Sequence, residues 1–501
     1  MNTASAHASA HASAHASAHA IDHAIDHAFT PGPAIALDRL VIRYLDGTTT
    51  ASPVRTGVRM VQTAAVPTSR LLAALSTALD LTEGQLPGHA LRTAYLAMRV
   101  ADAMRLPSDD RATLFYAAFL KDAGCSSNAA AVSRIFGGDD IALKAKQATI
   151  GRSMLHQAAF AMRNLPSTEP LPLRLRRLIM IGLKGQREQR AIESLRCERG
   201  ASIARKAGFS GAVGTAIHDV HEMWDGHGQP RGVARDAIDP RARIIAACAA
   251  LDLFASVRGR AEALTVIAAR RGSWYDPDIV DALLDLGTRG LFDDLQAPDL
   301  IGRTMDLEPT TRVDVAEDAD VDRLAGAFAD IVDAKSPFTG SHSQRVGSLS
   351  ETVALKLGLP DASVVDIRRA GLLHDLGKLG VPNMILDKPS RLEPAEFEVI
   401  KRHPELTLRI LDPVPAFATV AQLAACHHER LDGRGYFRGL TAPELSIGAR
   451  IVAVADVYEA LTADRPYRAA MPTEQALGIL RADAGEHLAS DVIEALAATL
   501  D

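Results

Sequence analysis

The sequence predicts an all-α protein made of two tandem helical domains. Two observations lead there: a composition suited to packed helices, and an internal duplication. Of 501 residues, 47% are apolar and only 4% aromatic, with Ala and Leu recurring at helical spacing. A chain of this length can hold two or three domains with cores of ordinary size. Charged residues make up 23%, and 55 Lys and Arg against 61 Asp and Glu leave a net charge of -6. No global field therefore favours nucleic acid or an acidic membrane. Cys125, Cys197, Cys248 and Cys426 are scattered and form no CxxC pair, which suits buried thiols in a reducing cytoplasm. The longest apolar stretches, such as ARIIAACAALDLFASV at 242–257, are short of a bilayer span, and the N-terminus lacks a basic-then-apolar signal. A cytoplasmic location with no membrane partner is the expectation.

Along the chain, residues 1–30 carry His7, His11, His15, His19, His23 and His27 at intervals of four. On a helix they would line one face and bind a metal weakly. The stretch has almost no large apolar residue to bury, so a disordered tail is expected. Residues 31–65 are too irregular to assign. A helical domain is expected over 66–300, an acidic linker without apolar period over 301–319, and a second helical domain over 320–501. Within the second, LSIGARIVAVADVYEALTAD keeps Ile447, Ile451, Val454, Tyr458 and Leu461 on one helical face.

The two blocks are copies of each other. PGHALRTAYLAMRVADAMRLPSDD at 87–110 parallels GSHSQRVGSLSETVALKLGLPDAS at 340–363, and HEMWDGHGQPRG at 221–232 parallels HERLDGRGYFRG at 428–439. Spacing agrees too: His342 to His374 is 374−342=32, and His89 to Lys121 is 121−89=32. The basic run LRLRRLIMIGLKGQREQR at 173–190, followed by GASIARKAGFSGAVGTAI, resembles a helix-turn-helix. It leads straight into the duplicated HEMWDGHG motif, so it is assigned to the repeat and no nucleic-acid partner is expected.

The second block concentrates His342, His374, Asp375, His403, His427, His428 and Asp456. Each lies beside apolar or small residues that pull it inward, and burying such groups without partners costs several kcal/mol apiece. Asp456, in IVAVADVYEAL, is the sharpest case. Shared divalent metals would satisfy all seven. Imidazoles and carboxylates without thiolate suit iron, manganese, zinc, cobalt or nickel, and are too rich in nitrogen for magnesium or calcium. Seven ligands match a two-metal site with one bridging carboxylate, an arrangement that activates water for in-line attack on phosphorus. Lys378, and Arg465 and Arg468 in DRPYR, are candidate phosphate partners.

The pattern HDLGK at 374–378, then VPNMILDKPSRLEPAEFEVIKRHP, HHERLDGRGYFRGL and ARIVAVADVYEALTADRPYR, resembles the HD-GYP subfamily of HD phosphohydrolases over roughly 320–501. The resemblance implies an all-α domain with a two- or three-metal centre, often iron or manganese, that hydrolyses cyclic di-GMP to the linear dinucleotide or GMP. By position, His342, His374, Asp375 and Asp456 would hold one metal. Asp375 would bridge to a second, held also by His403, His427 and His428. Lys378, Arg465 and Arg468 fall where the family contacts substrate phosphates, and Asp375 and Lys378 would be the catalytic pair. The chain departs from the pattern twice. Gly435-Tyr436-Phe437 replaces Gly-Tyr-Pro, and Phe338 stands where members with a third metal carry a Glu, which favours two metals.

In the first copy His89, Asp122 and His221 stand opposite His342, Asp375 and His428. Lys121, Val220, Ala249 and Cys125 replace His374, His427, Asp456 and Lys378. This block is read as a degenerate HD-type domain without a metal pair, and His218-Asp219 within it as structural. The alternatives are an HD phosphohydrolase acting on another nucleotide, and a non-catalytic nucleotide-binding or scaffold protein. A homodimer or a regulatory protein partner stays open.

Overall fold

The computed structural model describes residues 67–150, 154–165, 170–309, 317–337, 340–464 and 469–500. The expected tail at 1–30, the unassigned 31–65, Phe338, Arg465 and Arg468 lie outside them. Among the described residues regular structure is helical, and only isolated bridges such as Asp432 with Thr441 pair extended backbone.

The first repeat is framed by α1 (Thr68–Thr82), α2 (His89–Ala103), α3 (Ser108–Leu120), α4 (Leu171–Lys206), α5 (Gly211–Asp219) and α6 (Pro240–Arg258). The second is framed in the same order by α7 (Asp318–Asp333), α8 (His342–Lys356), α9 (Asp361–Leu373), α10 (His403–Leu411), α11 (Ala418–Ala425) and α12 (Ile447–Thr462). The ends of these helices follow local chemistry. A reciprocal pair, Glu317 and Asp320, caps α7, Ser446 caps α12 by accepting from Ala449 N–H, and Asp239 followed by Pro240 opens α6. The duplication extends to buried hydrogen bonds. Asp80 accepts from Ala90 N–H at the start of α2, and Asp333 accepts from Ser343 N–H at the start of α8.

The apolar core runs through both repeats without a break, from Leu71 to Leu496. Helix α1 packs against the segment Leu376–Gly380 and against α10 of the other repeat. Two glycines set the close approaches that shape the second repeat. A Cβ on Gly371 would lie 2.8 Å from Gly347 Cα, and one on Gly377 would lie 2.0 Å from His403 O. The second approach brings α10 against the turn after Asp375, which is how residues 28 apart (403−375=28) come to share one site.

Two expectations change in detail. Within 301–319, Leu300–Met305 is helical, and Glu308 accepts hydrogen bonds from Ser69 and Tyr116, so this part is docked on the first repeat. The basic run at 173–190 belongs to a single helix of 36 residues that continues to Lys206, with no turn at 190–200. All four cysteines are free and buried. No described helix is long and apolar enough to cross a membrane.

Candidate metal centre

Helices α8, α10 and α12, the end of α9 and the end of α11 converge on one buried cluster. His342 opens α8, His374 ends α9, His403 opens α10, and His427 and His428 follow α11. Asp456 enters from the middle of α12. His374 and His403 are fully buried, and Asp375 is 1% exposed.

Three of the rings are held in one way. The Nδ1 of His374 lies 2.8 Å from Gly371 O, that of His403 2.7 Å from Ile400 O, and that of His427 2.6 Å from Ala424 O. A carbonyl can only accept, so each Nδ1 carries a hydrogen, and each Nε2 presents a lone pair whenever its ring is neutral. Those lone pairs face one another. His403 Nε2 is 3.0 Å from His427 Nε2, and His342 Nε2 is 3.3 Å from His374 Nε2. Facing acceptors repel unless a cation lies among them.

Asp375 stands between the two groups. Its Oδ2 is 3.4 Å from His374 Nε2 and 3.6 Å from His342 Nε2, while its Oδ1 is 3.4 Å from His403 Nε2 and 3.6 Å from His427 Nε2. That Oδ1 is buried and has no hydrogen-bond partner, a costly state for a carboxylate oxygen. Asp456 Oδ1 adds a second carboxylate to the first group, 3.3 Å from His342 Nε2 and 3.6 Å from His374 Nε2. His342, His374 and Asp456 could hold one ion, and His403, His427 and His428 another. This donor set, with an orphaned carboxylate oxygen aimed between two sets of imidazole lone pairs, fits divalent transition metals.

The electrostatics differ across the site. Burial opposes charge on His342 and His374, but Asp375 and Asp456 outweigh it, pushing His374 up to about 9 and His342 well above its usual range. Burial, with neighbouring cationic groups, holds His403 and His428 well below the imidazole range and His427 at about 4. Despite burial, the carboxyls of Asp375 and Asp456 are held well below their ordinary range by those imidazoles, and Asp375 also by Lys378. The Lys378 ammonium lies 2.6 Å from Asp375 Oδ2 with a quarter of its side chain exposed.

Residues 184–279 and 326–492 match the HD domain family, more than half of the chain and parts of both repeats. The chain belongs to the HD-domain family, in its HD-GYP subfamily. Among curated HD relatives, the 3'3'-cGAMP-specific phosphodiesterase 3 of Vibrio cholerae is 40% identical over 83% of this chain and 90% of its own length. A cyclic di-GMP phosphodiesterase of Thermotoga maritima is 42% identical over 31% of this chain and 43% of its own. The crystal structure of the V. cholerae cyclic GMP-AMP phosphodiesterase V-cGAP3 aligns with a TM-score of 0.59 at 36% identity, covering 86% of this chain and 97% of that one. HD-domain phosphohydrolases are metal-dependent, in keeping with the donor set described above.

Sequence reasoning missed the groups behind this HD site. Glu459 accepts from His342 Nδ1 and from Arg345, the latter through Nε at 2.7 Å. The first repeat keeps the same trio, with His89 Nδ1 2.7 Å from Asp252 and Arg92 Nε 2.7 Å from the same carboxylate. The register was legible: Asp252 is three residues past Ala249, as Glu459 is past Asp456 (252−249=3, 459−456=3). Glu429 was missed as well. Its carboxylate accepts from Arg438 N–H at 2.7 Å and Leu440 N–H at 3.0 Å, tying down the loop that carries Gly435-Tyr436-Phe437. Tyr436 stacks on His428 with ring centroids 4.6 Å apart. Phe437 has φ 94°. Proline is locked near −65° and cannot adopt that conformation. The loop conformation at Phe437 and the signature proline therefore exclude one another.

In the first HD repeat the counterpart of the central carboxylate is matched by protein cations. Lys121 Nζ binds Asp122 Oδ2, and Arg196 Nη2 lies 3.4 Å from Asp122 Oδ1. Lys121 occupies the place of His374. Arg196 occupies that of His403, because a Cβ on Gly124 would meet Arg196 O at 1.9 Å just as one on Gly377 would meet His403 O. Each oxygen that faces an imidazole group in the second repeat thus faces one fixed cation in the first. Of the pair His218-Asp219, Asp219 accepts from Arg231 and from Asp239 N–H, a structural tie. Arg196→Met is expected to destabilise the metal-free protein by about 3–5 kcal/mol, because it uncovers a buried carboxylate. Denaturant unfolding measures this, and metal stoichiometry should stay unchanged. A fall in bound metal would contradict the assignment of Arg196 as a stand-in cation.

Proposed function

We propose that this chain is a metal-dependent phosphodiesterase that opens a phosphodiester of a cyclic dinucleotide by hydrolysis, to the linear dinucleotide or on to mononucleotides. The observation that carries the reading is Asp375, whose two oxygens face separate sets of imidazole lone pairs at 3.4–3.6 Å. His342, His374 and Asp456 would hold one ion and His403, His427 and His428 the other, with Asp375 shared; the donor set suits transition metals, and iron or manganese is favoured on the HD-GYP resemblance. When bound, such ions neutralise phosphate charge and lower the pKa of water to near neutrality. The chain's own residues do the rest. The carbonyls of Gly371, Ile400 and Ala424 fix the ring tautomers, Glu459 orients His342, and Lys378 presents an ammonium at the exposed edge. Arg465 and Arg468 are proposed as further phosphate partners on sequence grounds alone. The first repeat, about 66–300, is proposed as a non-catalytic partner domain, and the cytoplasm as the location.

A relative matching 83% of the chain is named for 3'3'-cGAMP, which favours that dinucleotide, while relatives matching a quarter to a third of it are named for 3'3'-cGAMP or for cyclic di-GMP. Both belong in one assay. Protein loaded anaerobically with Fe(II) or Mn(II) should contain about two ions per chain and hydrolyse at least one of the pair, and a chelator should stop turnover. Loaded protein that leaves every cyclic dinucleotide intact would refute the reading.

Acid should weaken metal binding, because each imidazole must be free of its second proton to bind, and the carboxylates of Asp375 and Asp456 hold His374 above its usual range. Metal retained after dialysis at stepwise lower pH measures this, and undiminished retention well below the imidazole range would contradict it.

A further inference from the structure

The chain after Asp375 is tied down from several sides, and one tie comes from the other repeat. Thr407 Oγ1 accepts from Gly377 N–H at 2.9 Å and donates to His374 O at 3.0 Å. Lys335 Nζ donates to Leu379 O at 3.0 Å. Asn383 opens the short helix Asn383–Leu386, and its side-chain amide donates to Lys335 O at 2.7 Å and to Asp387 at 2.9 Å. Its backbone N–H donates, at 2.7 Å, to Oδ1 of Asp140, which lies 243 residues earlier in the first repeat.

Asp140 is fully buried, with Asn383 at 1% and Lys335 at 2% exposure around it. A carboxylate is strongly disfavoured in such a place unless a specific hydrogen bond and an opposite charge hold it there. Here the bond is Asn383 N–H, and Asp140 is the foremost anion acting on the Lys335 ammonium. Leu81, also of the first repeat, adds an apolar contact, since its Cδ1 would lie 3.6 Å from a Cβ placed on Gly380. Both contacts bear on the turn Leu376–Gly380 and the helix after it, the stretch that carries Lys378.

We propose that Asp140 is a positioning residue for the site of the second repeat: by holding Asn383 N–H it fixes the stretch Leu376–Leu386, and so places Lys378 beside Asp375. This rests on the reading of Asp375 and Lys378 as the reaction centre. It gives the first repeat a task that needs no metal, which is to clamp the working segment of its copy.

The test uses the full chain loaded with Mn(II), as wild type, Asp140→Ala and Asp140→Asn, followed by amide hydrogen exchange and steady-state hydrolysis of 3'3'-cGAMP and cyclic di-GMP. Asp140→Ala should speed exchange across 376–387 while leaving α12 unchanged, and should lower kcat by about 10–100-fold with little change in KM, as expected for misplacement of a reacting group. Asp140→Asn retains an accepting oxygen and should restore both. Leu81→Ala, should Asp140→Ala not fold, should give a milder change in the same peptides. Unchanged exchange at 376–387, equal loosening of α12, or an Asp140→Asn protein as impaired as Asp140→Ala would each overturn the proposal. A wild-type protein that hydrolyses neither dinucleotide would refute the reaction-centre reading, and the exchange pattern would still decide whether Asp140 clamps the segment.

Discussion

Asp375→Ala is expected to abolish hydrolysis and to lower metal occupancy at both positions. One carboxylate is shared between the two groups, Oδ2 facing His342 and His374 and Oδ1 facing His403 and His427. Without it the first group keeps a single carboxylate, Asp456, and the second keeps imidazoles alone. Three neutral imidazoles hold a divalent ion less tightly than the same set with an anion. Asp375→Asn sharpens the test, since it keeps the volume and removes the charge. Elemental analysis and turnover of both variants, with thermal unfolding to establish that they fold, give the measurement. Retention of one full equivalent of metal would refute a shared ligand, and full activity would refute the mechanism.

Lys378→Ala should leave the metals in place and slow the reaction by about 10²–10³-fold, the range for loss of one preorganised donor to a transition state. The lysine stands on the turn Leu376–Gly380, anchored 2.6 Å from Asp375 Oδ2, with part of its side chain open to solvent. A cation held beside the central carboxylate can reach a phosphate oxygen without rearrangement, so its loss should lower kcat more than it raises KM. Arginine is no substitute here, since its planar fork requires different geometry. A variant that loses metal in proportion to activity would instead make Lys378 a structural partner of Asp375.

How far the sequence revealed this site depended on the kind of interaction. The seven histidines and aspartates were legible because each lies beside apolar or small residues that pull it inward, and a buried polar group must be satisfied by something. Their losses in the first copy were legible wherever spacing is conserved, as at Lys121, Val220 and Ala249. Arg196 was not, because 74 residues separate it from Asp122 whereas 28 separate His403 from Asp375 (403−375=28). Only the backbone contact at Gly124 identifies the match. The contact between Asp140 and Asn383 lies further out of reach, since Asn383 stands in a motif but Asp140, 243 residues earlier, stands in none. The missing proline at 437 was visible, but the positive φ that excludes it belongs to the folded loop. Arg465 and Arg468 keep their sequence-based roles and lie outside the described residues.

The two cations at Asp122 make the halves of the molecule unequal in charge bookkeeping. Lys121 and Arg196 are covalent parts of the chain, so the charge around Asp122 stays fixed near neutrality. Loss of a divalent ion from the second half would remove up to two positive charges from beneath α8 and α12, less any proton taken up by imidazoles such as His374. Metal scarcity or chelation therefore polarises the molecule along its length, with one end fixed and the other following supply. A field-sensitive probe at the boundary, such as a nitrile placed near Leu81, would report metal loading in the second half alone.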